Sequence, residues 1–136
     1  MPEGCQSVLP DRALLIRGIR QKEINPHTRK IKKEAFIPRR NGKDDDGLSV
    51  SQPANDSRER LIVRLSNAAG LFCEFLAGSV RRIEEGTIRL DVCPSPTKLD
   101  PYHALIKGVP TSHAQAAAAT RLAQKLAAIA AEYVAP

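Results

Sequence analysis

The chain has 136 residues, with 21 Lys and Arg against 15 Asp and Glu, a net charge of +6, 42% hydrophobic and 4% aromatic residues, and no Trp. That length suits a single domain, residues 1–136, with a mostly aliphatic core. No apolar run approaches the ~20 residues that span a bilayer and no repeat period is visible, which argues against a membrane helix and a solenoid.

The charge is unevenly placed. Ten of the bases and two of the acids lie within residues 17–43, so that segment carries +8 and the remainder −2. The first ten residues read as a frayed N-terminus. With Glu3, Asp11 and Arg12 among them, the first 16 residues lack the apolar centre of a signal peptide, so a cytoplasmic setting is expected. Three widely spaced cysteines, Cys5, Cys73 and Cys93, argue against a disulfide scaffold and a zinc site. Cys73 and Cys93 lie in apolar stretches and are expected as buried thiols, consistent with a reducing compartment.

Residues 12–19 form a short apolar run that suits a buried strand better than a helix, since Gly18 weakens a helix there. Residues 20–47 then read as a long basic loop within the domain, with turn markers at Asn25-Pro26, Pro38 and Asn41-Gly42, and Ile31, Phe36 and Ile37 as its few apolar anchors. Unusually long loops in small domains often carry function. Here Arg29, Lys30, Lys32, Lys33, Arg39 and Arg40 are the candidate phosphate contacts. The competing reading is a solvated loop whose charge serves solubility. With little aromatic interleaving, a base-stacking platform is not indicated. The run Asp44-Asp45-Asp46 lacks the ligand alternation of a calcium loop and reads as a turn that neutralises Arg39, Arg40 or Lys43.

Leu48 to Ser51 alternates as a strand ended by Pro53. Asp56, with Glu59 three residues on, is the capping box of a helix at about 57–68, and Leu71 to Ala77 fits either the tail of that helix or a buried strand. A hairpin is expected over 79–84 and 87–93 around Glu84-Glu85-Gly86, and another strand over 103–107. The C-terminus reads as an Ala-rich helix from about 112 to 133, capped by Ser112 and Gln115, with Leu122, Leu126, Ile129 and Tyr133 as its apolar stripe. Its small residues would also permit close packing on a second copy, a homodimer. The sum is an α+β fold: a small, mostly antiparallel or mixed sheet of four to five strands with two helices, the C-terminal one long and Ala-rich.

Catalytic signals are sparse. His27, His103 and His113 are not at metal-ligand spacing, so no metal is expected. No P-loop, nucleophile elbow or dinucleotide fingerprint appears, so no cofactor is expected either. His103 is the candidate general base, with Tyr102 beside it and Arg17 as a cation to steady developing charge, the equipment of metal-independent chemistry on a phosphate-containing substrate. The alternative is a histidine that anchors a turn. The order Ile16-Arg17-Gly18, Leu48-Ser49-Val50 and Glu84-Glu85 is similar to the Arg, Ser, Glu order of ADP-ribosyltransferases, although here the Glu pair falls in a tight turn rather than along a strand. The leading expectation is a basic module that binds nucleic acid or an acidic protein partner without engaging a membrane. The alternative is a small enzyme acting on nucleotide or RNA phosphates.

Overall fold

The computed structural model of the chain describes residues 9–38, 47–52, 71–98 and 102–130. In chain order its strands and α-helices are β1 (Leu14–Ile19), β2 (Leu48–Ser51), β3 (Leu71–Leu76), α1 (Ala77–Arg81), β4 (Glu84–Glu85), β5 (Ile88–Arg89), β6 (Asp91–Pro94), β7 (His103–Lys107) and α2 (Ala116–Ala130). Five of the strands form one sheet in the order β3-β1-β2-β7-β6, and β4 and β5 form a separate ribbon. Every neighbouring pair is antiparallel. The fold is therefore α+β.

Residues opposed across an antiparallel ladder share a face, and neighbours along a strand point to opposite faces. The registers Leu15↔Phe75, Val50↔Ala104, Leu48↔Ile106 and Val92↔Ile106 therefore put these side chains on one face of the sheet. All of them are buried in the main hydrophobic core. The other face carries Ile16, Phe72, Cys93 and Ser51, which are also buried, together with the exposed Leu76.

Helix α2 closes the core face. Its buried residues are Ala119, Leu122, Ala123, Leu126, Ala127 and Ala130, at the three- and four-residue spacing of one helical stripe. Burial of Leu122 and Leu126 contributes about 2 kcal/mol each. Ile129 is only partly buried, so the stripe is alanine-richer than the leucine pattern implies. Tyr133 lies outside the described residues. The buried alanines Ala119, Ala123, Ala127 and Ala130 bring α2 close to the sheet and to the turn at Lys33–Phe36, while Ala117 and Ala128 stay exposed. The helix starts differently from the expected capping box. His113–Gln115 forms a tight 3₁₀ turn, and the Ser112 hydroxyl donates to the Gln115 side chain at 3.3 Å rather than capping the backbone.

The expected hairpin is redrawn by local packing. Val80, placed in a strand by sequence, belongs to α1, whose first amides donate to Ala13 O and Asp11 O at 3.0 and 2.9 Å. Arg81 holds the helix in place through Asp11 and Asp91, each at 2.8 Å. The second expected strand breaks at Leu90, so β5 stays in the small ribbon and β6 joins the main sheet. The stretch 71–76 resolves to a strand. The helix expected at 57–68 lies outside the described residues.

The cysteines divide. Cys73 is a free buried thiol on the core face, and burial pushes it up to about 12. Cys93, expected as a thiol, is instead disulfide-bonded, with its partner outside the described residues. An odd cysteine count leaves room for one pair plus one free thiol, and disulfides persist mainly in oxidising compartments, so the cysteines give no support to a reducing setting. Among the described residues no helix is long and apolar enough to cross a membrane.

Two measurements check this packing. Gly108 has φ +114, and a Cβ there would lie 2.7 Å from Arg89 O, whereas Gly86 has φ +61 with open space around it. Gly108→Ala is expected to lower unfolding stability by about 3 kcal/mol and Gly86→Ala by about 1 kcal/mol in urea titrations. Equal losses would contradict the close approach at Gly108. The Cys73 thiol is expected to resist a thiol-specific reagent at neutral pH in the folded protein and to react once it is denatured.

Candidate anion-binding site

The basic segment is a built structure as far as Pro38. Ile24 and Ile31, 5% and 6% exposed, face each other across an isolated antiparallel bridge. Between them the chain reverses at Asn25-Pro26. The Asn25 side-chain oxygen accepts the amides of His27 and Thr28 at 2.9 and 3.1 Å, an Asx-type turn that needs a short polar side chain. The Asn25 amide donates to Lys30 O at 2.9 Å, and the Arg29 amide donates to Asn25 O at 2.8 Å. Arg29 is left-handed at φ 60, a strained backbone for a residue with a side chain. Lys30 and Lys32 are then presented on either side of buried Ile31, and the Lys32 amide is fixed on Glu23 O at 2.7 Å.

A 3₁₀ turn follows at Lys33–Phe36, with Ala35 and Phe36 buried. The Phe36 ring meets Phe75 edge-on, centroids 6.0 Å apart. Arg17 completes the attachment. Its Nε and Nη2 donate to Ala35 O at 3.0 and 2.9 Å, its Nη1 donates to Ser49 O at 2.6 Å, and the guanidinium sits 5.5 Å from the Phe36 ring centre. The expected catalytic cation is thus engaged with two main-chain carbonyls and a ring.

Between this folded segment and the second half of α2 lies a pocket of about 610 Å³. Its apolar lining is Ile31, Ala127 and Ala128, and its polar lining comprises Asn25, Gln124, Glu34 and the three lysines Lys30, Lys32 and Lys33. Lys33 pairs loosely with Glu34 at 3.7 Å, both side chains being well exposed, an arrangement that contributes little. Among the described residues no acid pairs with Lys30 or Lys32. The structure therefore gathers three of the expected binding residues at one pocket and leaves exposed Arg29 at the tip of the adjoining turn. Arg39 and Arg40, with Asp44-Asp45-Asp46, lie outside the described residues.

His103 is elsewhere. It opposes Ser51, and Ser51 opposes Ile16, so these three share the face away from the core. Arg17, the next residue after Ile16, points to the core face. The sheet thus separates His103 from Arg17. His103 Nδ1 lies 2.9 Å from Ser95 O, and because a carbonyl only accepts, that nitrogen carries the proton. The Ser95 amide donates back to His103 O at 2.8 Å, so the histidine anchors the chain leaving β6. Tyr102 is 44% exposed, and its carbonyl accepts the Gln52 amide at 3.0 Å. His27 and His113 are exposed.

Of the Arg, Ser and Glu islands, the first two meet on neighbouring strands, where Arg17 Nη1 donates to Ser49 O, and the third is engaged with α2. Glu85 accepts Arg121 Nε at 2.6 Å and Lys125 Nζ at 3.0 Å, which fastens the β4–β5 ribbon to α2. Hydrogen bonds from Lys125 and Arg121 hold its carboxyl below the usual glutamate range. Sequence reasoning missed Gln124, Ala127 and Ala128 as pocket residues, because they are contributed by a helix almost a hundred residues downstream. The chain matches no protein-family model, no curated protein and no solved structure.

The Arg17 clamp makes a specific demand. Arg17→Ala strands the Ala35 carbonyl and is expected to cost about 2 kcal/mol in urea unfolding. It should also raise amide exchange across residues 24–32. Arg17→Lys should not restore protection, since an ammonium cannot reproduce a planar fork that spans two carbonyls. Full protection in the Lys variant would show that charge alone holds the segment.

Proposed function

We propose that this chain is an anion-binding module that takes nucleic acid against its basic segment, with Lys30, Lys32 and Lys33 as phosphate contacts. Exposed Arg29, at the tip of the adjoining turn, extends the same positive field. The observation that carries this reading is the pair of lysines without acid partners among the described residues, Lys30 and Lys32, which line a pocket beside a turn whose amides at 25 and 27–30 are all hydrogen-bonded. A loop whose charge served solubility alone would need neither the Asn25 turn nor the Arg17 clamp. Phosphate contacts of this kind position a nucleic acid without reading its sequence. The enzyme alternative draws no support from the geometry, since His103 and the basic segment lie on opposite faces of the sheet.

Binding of this kind releases counterions, so its signature is a linear loss of affinity with salt. Fluorescence anisotropy with a labelled single-stranded oligonucleotide should show binding at low salt. Replacing Lys30, Lys32 and Lys33 by Ser should flatten the log–log salt slope by about 2, at ~0.7 per lost contact. An unchanged slope in the triple variant, or no binding of the parent protein at low salt, removes this reading. Tight salt-dependent binding of an acidic peptide, with none of nucleic acid, would favour the protein-partner version.

A further inference from the structure

We infer that the pocket between the basic segment and α2 takes a terminal phosphomonoester together with the nucleoside that carries it. This rests on the reading above and goes further, because it names one end group rather than a polymer backbone. Three lysines and one carboxylate line the pocket, which leaves it two net positive charges. A phosphomonoester carries −1.5 to about −2 at neutral pH, whereas each phosphodiester within a strand carries −1. The charge of the pocket therefore complements an end better than a chain.

The volume points the same way. A space of about 610 Å³ is far larger than one phosphate and falls in the range of pockets that enclose a small organic molecule. Its floor is Ile31 with Ala127 and Ala128. Alanines on successive residues leave a low helix surface, on which a planar, largely apolar body can lie without displacing side chains. The Gln124 amide and the Glu34 carboxylate add a donor and acceptors toward the polar edge of that body. The phosphate meets Lys30, Lys32 and Lys33, and the nucleoside lies along α2. Two sources present this chemistry: a free nucleoside monophosphate and the phosphorylated end of an oligonucleotide.

The test compares four probes by calorimetry and anisotropy with the full chain. They are a nucleoside monophosphate, its methyl phosphodiester, and one oligonucleotide made with and without a terminal phosphate. The monoester should bind about tenfold more tightly than its methyl ester, and the phosphorylated oligonucleotide about tenfold more tightly than the unphosphorylated one. Ala128→Trp, on an exposed helix position, fills the pocket without changing charge. It should abolish the preference for the monoester while leaving salt-dependent binding of the unphosphorylated strand intact. With inorganic phosphate as a fifth probe, Gln124→Ala should weaken the monoester and leave inorganic phosphate binding unaltered. Tight binding of the free monoester alone assigns the pocket to a small molecule, and binding of both phosphorylated probes extends it to strand ends. Equal binding of the two oligonucleotides, with no preference for the monoester, overturns this inference and leaves general polyanion binding standing. If no oligonucleotide binds at low salt, the nucleic-acid reading fails. The monoester titration then decides the pocket alone: saturable binding lost in Ala128→Trp supports it, and no binding overturns it.

Discussion

A single guanidinium on the core face of the sheet determines where the basic segment lies. Alternation along β1 puts Leu15, Arg17 and Ile19 on the same side, and two of those three are core residues. A charge there is costly unless its donors are satisfied. Arg17 meets that condition by reaching out of its own strand. β1 and β2 share only the pair Ile16↔Ser51. Where they part, the Ser49 carbonyl is taken by Arg17 instead of by a strand amide, and the other side of the guanidinium takes Ala35. One side chain therefore joins the edge of a short ladder to a segment 18 residues downstream. Without it, Ile24, Ile31, Ala35 and Phe36 would hold that segment chiefly by apolar contact, without the directional hydrogen bonds that fix its orientation.

Orientation is what the pocket requires. Lys30 and Lys32 flank Ile31, and Ile31 is buried against the core. The hairpin can thus settle in only one register, with its lysines displayed on one side and α2 opposite. Alanine makes the other wall. A leucine at 127 or 128 would fill the space that Ala127 and Ala128 leave open. The same small residues that let α2 approach the sheet also set the depth of the pocket, so packing and candidate function depend on one compositional feature.

Much of the architecture is legible in the sequence because it is encoded over short distances. The runs at 14–19, 48–51 and 103–107 are bounded by their own turn residues, and the Ala-rich tract specifies its helix by propensity. The failures have physical causes. Val80 and Ile83 are three apart, a spacing that suits a helical turn as well as a strand, and the contacts of α1 with Asp11 and Ala13 decide between them. Leu90 interrupts an alternating run because the ribbon and the main sheet claim its two ends separately. Arg17 could have been recognised from its place between Leu15 and Ile19, since an arginine at an inward position must find partners. The Cys93 disulfide and the α2 wall of the pocket depend on long-range proximity, which no local pattern records.

The lysines also carry an energetic consequence for the free protein. Three ammonium groups gathered on one short, tied segment, with a single exposed carboxylate beside them, repel one another in the absence of a ligand. A flexible loop would relieve that repulsion by spreading its side chains apart. Here the Asn25 turn, the Ile24↔Ile31 bridge and the Arg17 clamp hold the backbone against it. The ordering cost is met during folding rather than at binding, which is the sense in which such a site is preorganised. An anion that enters then gains its attraction to the lysines and also removes their mutual repulsion. Both terms favour the folded, ligated state over the unfolded chain, so binding and stability are linked through the same three side chains.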